Sequence, residues 1–203
     1  MSPRPRTIPD ADILVAAIQV MARLGPVRLT LADVAREIGL SPATLVQRFG
    51  SKRGLLLAVA ASGTEGIEAC FDMVRAAHRS PLGALVAAAT EMSRMATSPE
   101  ELANHLAFLQ IDLSDPDFHR HTLDMSRRTN AGYRAFLDEA VSAGELVPCD
   151  TARLARAVSA IAGGSLIGWA IFREGTAEAF VRADLGTLLD PYTRPAKKRG
   201  RRK

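Results

Sequence analysis

Cysteine is nearly missing from this chain: Cys70 and Cys149 are the only two in 203 residues. Two thiols that far apart form neither a disulfide framework nor a zinc site, and a reducing cytosol is the setting such usage predicts. Aromatic residues are scarce as well, at 5%. No run of alternating apolar and polar residues persists, which excludes half-buried strands. The opening MSPRPRTIPD is polar and broken by proline where a secretory leader needs an apolar stretch, and no later segment is read as approaching the roughly 20 apolar residues of a membrane span. A soluble, cytoplasmic chain without membrane contact is therefore expected.

What is present is an uneven distribution of charge. Residues 1–53 carry eight Lys/Arg against four Asp/Glu, residues 54–193 eleven against eighteen, and residues 194–203 seven against none. Basic ends around an acidic body suggest that the ends meet a polyanion.

Apolar spacings of three and four recur from Asp10 to Leu189, so the fold class is all-α. A first helix is drawn from Asp10 to Leu24 with Ile13, Leu14, Ala17, Ile18 and Met21 as its stripe, closed by Gly25 and Pro26. Dense punctuation follows. Thr30 with Asp33 makes a capping-box variant that starts a helix at Leu31, and Leu31, Val34, Ala35 and Ile38 form its buried face. Gly39 closes it. Ser41 and Pro42, an N-cap and a first-turn proline, open an eight-residue helix ending at Phe49. Gly50 stops that helix and Ser51 caps the next. Two short helices across a tight glycine turn are the sequence form of a helix-turn-helix, whose second helix enters the major groove.

In that second helix Leu45 and Phe49 point to the core. Ala43, Val46, Gln47 and Arg48 are the candidate base readers: Gln47 for adenine, Arg48 for guanine, Val46 or Ala43 for a thymine methyl. Arg28, Thr30, Ser41, Thr44 and Lys52 are the candidate phosphate-side contacts, which set register.

The segment TLADVAREIGLSPATLVQRFGSKRGLL resembles the DNA-binding domain of the tetracycline-repressor (TetR) family, with pattern TT-x-x-DIA-x-x-x-GVS-x-x-TLY-x-HF-x-SK-x-x-L. Thr30, Asp33, Ala35, Gly39, Ser41, Thr44, Leu45, Phe49, Ser51, Lys52 and Leu55 fall in place. Val46 replaces the usual Tyr, Arg48 the usual His, and Arg53 the common acidic residue, so the DNA end gains positive charge. The resemblance implies a DNA-binding domain over residues 7–60 with its motif at 30–49, and a helical ligand-binding and dimerisation domain over 61–192. Residues 193–203 read as a basic disordered tail.

From Arg53 onward a long linking helix is expected, then helices near Pro81–Ala96, Glu100–Asp112, Pro116–Ala143, Thr151–Phe172 and Thr176–Leu189. The resemblance implies a small-molecule effector and a homodimer. Met92, His105, Phe108, Gln110, Tyr133 and Trp169 are the candidate ligand contacts. Leu154, Val158, Ile161 and Ser165 form one dimer stripe, and Phe180, Val181, Leu185, Leu188 and Leu189 the other, with Gly163, Gly164 and Gly168 permitting close approach. His119 and His121 beside Asp117 invite a metal reading, but residues two apart on a helix diverge, so neither metal nor cofactor is expected. No phosphate loop, nucleophile elbow or Cys/His pair argues for an enzyme. The expectation is a regulator, usually a repressor in the family, holding a palindromic operator as a homodimer and released by an effector. An architectural DNA-binding protein without ligand is the alternative, and a small helical enzyme a remote one.

Overall fold

The computed structural model describes residues 8–95 and 97–194. Within them are ten α-helices: α1 (Asp10–Arg28), α2 (Leu31–Glu37), α3 (Pro42–Phe49), α4 (Lys52–Glu65), α5 (Ile67–Ala77), α6 (Pro81–Glu91), α7 (Pro99–Ser114), α8 (Pro116–Ser142), α9 (Thr151–Phe172) and α10 (Ala177–Leu189). The all-α expectation holds, with no strand among the described residues and one isolated bridge between Leu146 and Thr193. The expected linking helix is divided at Gly66 into α4 and α5, and α6 ends at Glu91 in a 3-10 turn, Met92–Met95.

The chain forms two compact units. One comprises Met1–Glu68 and Met95–Arg128, the other Ala69–Arg94 and Thr129–Lys203. The first thus adds α7 and the start of α8 to the helix-turn-helix segment. Its core is Ile13, Ala16, Ala17, Val20 and Met21 of α1, with Val34, Leu45, Leu55, Leu56 and Val59 of the next three helices and Phe108 and Phe118 of α7 and α8. Each such large apolar side chain removed from water contributes about 1.5–3 kcal/mol. Ile18 does not belong to that stripe: it is 37% exposed, and Ala16 and Val20 are buried instead. The stripe is rotated because α1 packs on both α4 and α7, and a helix covered on two sides buries a wider face.

Arg53, read from sequence as added charge at the DNA end, is bound to Asp115 (2.9 Å) and Asp117 (2.8 Å). Its guanidinium lies over the Phe118 ring, 5.5 Å from the centroid. It ties the start of α4 to the start of α8, where the two carboxylates also suit the positive helix end.

In the second unit α9 lies along α10, and α6 packs on both. Phe71 meets Tyr133 and Phe136 edge-on at 5.6 and 5.7 Å. It occupies the space over Gly132, where a Cβ would come within 2.4 Å of the ring. Both α9 and the stretch Lys52–Ala77 have the length and apolarity of a membrane-spanning segment, which corrects the expectation that no segment approaches this. In α9 the reason is an apolar outer face added to an apolar inner one.

Gly25 has φ +76° and breaks the helical path of α1, as its sequence position predicts. A Cβ there would lie 2.6 Å from Asn104 Oδ1, while Asn104 Nδ2 donates to the Ala22 carbonyl at 2.7 Å. Gly25→Ala is therefore expected to combine a backbone strain of about 1–3 kcal/mol, from a conformation that almost only glycine adopts, with displacement of Asn104. Urea denaturation of the purified chain should show a lower midpoint; an unchanged one would contradict this packing.

Candidate nucleic-acid interface

Local chemistry sets the frame of α2 and α3. Thr30 Oγ1 accepts from the Asp33 N–H (3.2 Å), and Asp33 Oδ2 accepts from the Thr30 N–H (3.1 Å) and hydroxyl (2.6 Å). The Thr30 hydroxyl holds the Asp33 carboxyl below its ordinary 3.8, helped by the Thr30 N–H and Arg36. Gly39 takes φ +68°, and the Leu40 N–H reaches back to the Ala35 carbonyl at 2.9 Å, closing α2. Ser41 Oγ then accepts from the Thr44 N–H (3.2 Å) and lies 2.9 Å from Thr44 Oγ1. Gly50, φ +74°, ends α3, and Ser51 Oγ accepts from the Gly54 N–H at 3.1 Å. A Cβ on Gly54 would fall 2.0 Å from the Phe49 carbonyl oxygen, so α4 can start where it does only with glycine at this position.

Leu45 is fully buried, and this turns Ala43, Val46 and Gln47 to solvent. Val46 is 48% exposed. Around it stand the exposed Arg28, Thr30 and Ser41 and the half-buried Thr44 and Lys52. The Thr30 and Thr44 hydroxyls are engaged in the caps. Lys52 Nζ donates to the Val27 carbonyl at 2.7 Å, which leaves two of its three N–H groups to offer a phosphate.

Arg48 departs from its expected place. Its Nη1 donates to the Ile8 carbonyl at 2.5 Å and to Asp10 Oδ1 at 3.1 Å, and the side chain is only 24% exposed. Reaching a base would break bonds worth about 1.5–3 kcal/mol each for a charged donor. Arg48 instead clamps the start of α1 to the end of α3, a role no local pattern announces because the partners lie about forty residues apart.

The candidate ligand residues are divided between the two units. Phe108 packs edge-on against Phe118 at 6.0 Å in the first unit, His105 is half-buried and Gln110 is exposed. In the second unit Tyr133 is buried against Phe71, its hydroxyl pushed above the ordinary tyrosine value by burial, and Trp169 Nε1 donates to the Gly175 carbonyl at 3.3 Å. Phe108, Tyr133 and Trp169 are core. The Met92 side chain and residues 195–203 of the basic tail lie outside the described residues.

Within the second unit there is a cleft of about 310 Å³, with Val74, Ala77 and Ala87 among its walls and Glu91, Arg94 and Arg182 at its edge. Arg94 pairs with Glu91, and Arg182 with Glu178, both at 2.9 Å. Of the sequence candidates whose side chains are described, none lines it. The one signal available was the Glu178–Arg182 spacing of four, which marks a helix surface and not a cleft.

The expected dimer stripe on α9 also faces elsewhere. Leu154, Val158 and Ser165, and Leu185 of α10, are buried inside the unit, and Ser165 Oγ donates to Asp184 Oδ2 at 2.6 Å. Ile161, Phe180 and Leu188 are half-buried. The outward residues of α9 are Ala152, Arg153 and Arg156 in its first half and Ala160, Gly164, Ile167, Ile171 and Phe172 beyond, with Ile171 71% and Phe172 66% exposed. Beside them on α10, Ala183 and Gly186 are exposed.

Residues 13–59 match the family model described as bacterial regulatory proteins, tetR family. The chain is 30% identical over 155 residues to the HTH-type transcriptional regulator BetI of Agrobacterium fabrum (strain C58 / ATCC 33970), which covers 75% of this chain and 72% of BetI. Among solved structures it is similar to the TetR family transcriptional regulator PfmR from Thermus thermophilus, with TM-score 0.64, 26% identity and coverage of 88% of this chain and 97% of that one. It also shares the fold of the transcriptional regulator FadR from Bacillus subtilis, solved in complex with stearoyl-CoA, with TM-score 0.64, 15% identity and coverage of 88% and 96%.

Two carboxylates of the first unit titrate in opposite senses. Asp33 is held low by its cap, whereas Asp112 is pushed up by burial against the smaller opposing effects of Thr122 and His121, and its Oδ1 has no hydrogen-bond partner. A lowered carboxyl stabilises the fold above its unfolded value and loses that as pH falls; a raised one costs stability as pH rises above the unfolded value. Asp33→Asn should therefore weaken the fold at pH 7 and converge with the parent in acid. Asp112→Asn should strengthen it at pH 7, converging likewise. Urea midpoints measured from pH 7 to pH 3 test both, and parallel curves would rule out either assignment.

Proposed function

The chain belongs to the tetR family of bacterial regulatory proteins, and on that premise we propose that it is a ligand-responsive repressor. It holds a palindromic operator as a homodimer, acts in the cytoplasm, and lets go of DNA when a small molecule occupies its second unit. It is a binding protein with no reaction to catalyse. The observation that carries the reading is the outward face of α3, where Ala43, Val46 and Gln47 stand exposed on a helix fixed at both ends by caps and from beneath by Leu45. Such a face offers a thymine methyl an apolar contact and an adenine edge a bidentate amide. Thr44, Ser41, Lys52 and Arg28 around it supply phosphate contacts that set register.

Two copies are needed because an eight-residue helix spans only a few base pairs. A two-fold axis repeats it one helical turn away, about 34 Å, and makes the operator palindromic. The outer faces of α9 and α10 support the pairing. Gly164 and Gly186 have open space where a Cβ would stand, so the helices of a partner can approach closely, and Ile167, Ile171 and Phe172 supply apolar area otherwise left in water.

For the effector, the cleft beside α5, α6 and α10 combines apolar walls with salt-bridged edges, suiting a small amphipathic molecule. The complex of FadR with stearoyl-CoA illustrates a regulator of this fold with a bound ligand. Because α8 supplies residues to both units, a change in the second has a continuous helix by which to bias the first.

Selection of bound fragments from random duplexes should return one palindrome. Gln47→Ala should then relax preference at one position per half-site, while Lys52→Ala should weaken all duplexes alike, each by about 1–3 kcal/mol; the same profile for both would undo these roles. Sedimentation should give a dimer for the parent chain and a monomer for Ile171→Glu. A monomeric parent would remove the pairing.

A further inference from the structure

The cleft of the second unit has a rim that is indifferent to the charge of a ligand and buried hydroxyls that are not. At the rim Arg94 pairs with Glu91 and Arg182 with Glu178, each at 2.9 Å, so an anion and a cation alike find matching and opposing groups there. Exposed pairs of this kind contribute little by themselves. Thr90 and Ser93 also line the cleft, and both are buried. Their hydrogens are already committed: Thr90 Oγ1 donates to the Val86 carbonyl, and Ser93 Oγ donates to the Thr90 carbonyl at 2.6 Å. A hydroxyl in that state has only lone pairs left to offer. His78, another lining residue, has the same polarity, because its Nδ1 lies 2.9 Å from the Val74 carbonyl. A carbonyl only accepts, so the neutral ring carries its hydrogen on Nδ1 and leaves Nε2 as a third acceptor.

We infer that this cleft takes a hydrogen-bond donor: a small amphipathic primary amine whose N–H groups meet Thr90 and Ser93 and whose short apolar body lies along Val74 and Ala87. The inference rests on the effector reading above and narrows it from an amphipathic molecule to one chemical class. An ammonium group brings three donors and no acceptor, and hydrogen bonds with one charged partner are the stronger kind. A carboxylate in the same place brings only acceptors. It sets lone pairs against lone pairs and gives up its hydration without replacement. The volume of about 310 Å³ lies at the low end of ligand sites, which restricts the apolar body to a short chain or a single ring.

The test is calorimetric titration of the full chain with octylammonium, octanoate and octyltrimethylammonium, which share one apolar tail. The first has N–H donors, the second only acceptors, and the third a positive charge without a donor. Octylammonium should bind at least about tenfold more tightly than either of the others, the factor that one charged hydrogen bond supplies. Thr90→Val and Ser93→Ala should each lower its affinity about tenfold and bind octanoate no more weakly, whereas Thr90→Ser, which keeps the hydroxyl, should match the parent. The ranking of the three probes in the parent needs no variant and holds as a test even where a variant does not fold. Octanoate binding as tightly as octylammonium, or octylammonium affinity untouched by loss of both hydroxyls, overturns the inference while the cleft still holds a ligand. Octyltrimethylammonium equal to octylammonium does the same, because charge alone would then be the attraction. Ala87→Trp, which fills the cleft, should abolish binding of octylammonium. If binding survives that change, or if no probe binds the parent, the cleft is not the effector site and the inference falls with it.

Discussion

An eight-residue helix does not hold itself together in water. Helix α3 exists because Leu45 is sunk in the core that α1, α2 and α4 provide, and because each end has a side chain or a glycine to close it. The same burial decides which residues are left outside. Rotating α3 by one position would lift Leu45 out at a cost of several kcal/mol and swap the outward set Ala43, Val46 and Gln47 for another. The outward surface of α3 is therefore specified from beneath, by a residue that is itself fully buried.

Much of this was legible in the chain because it is written locally. Thr30, Ser41 and Ser51 cap helices, and Gly25, Gly39 and Gly50 adopt positive φ, because each of these choices involves partners within four residues. The limits of α9 were legible for the same reason. Its facing was not. When Leu154 and Val158 on one side and Ile167 and Ile171 on the other are all apolar, the 3.6-residue period loses its phase, and sequence cannot say which stripe turns inward. The arginines were illegible for a different reason. Arg48 and Arg53 are satisfied by Asp10 and by Asp115 and Asp117, partners about forty and sixty residues away, so their charge counts toward a basic end in composition and toward internal bracing in space. The ligand contacts were illegible because aromatic residues that could line a pocket look the same in sequence as those that fill a core.

The bracing has a common plan in the first unit. Lys52 closes onto the end of α1, Arg48 onto its beginning, and Arg53 onto the start of α8. Three cations from the α3–α4 region thus fix the recognition helix to its neighbours through oriented hydrogen bonds, complementing the undirected grip of the apolar core. The buried Asp112, with an unpartnered oxygen, is the counterexample in the same unit, a carboxyl that burial pushes toward its neutral form.

Gly54 gives the arrangement a mechanical meaning. With the Phe49 carbonyl oxygen 2.0 Å from where a side chain would begin, the corner between α3 and α4 has no backlash: the two helices mesh like a shaft and its crank. The angle between α3 and α4 can therefore change only if the Phe49 carbonyl itself moves.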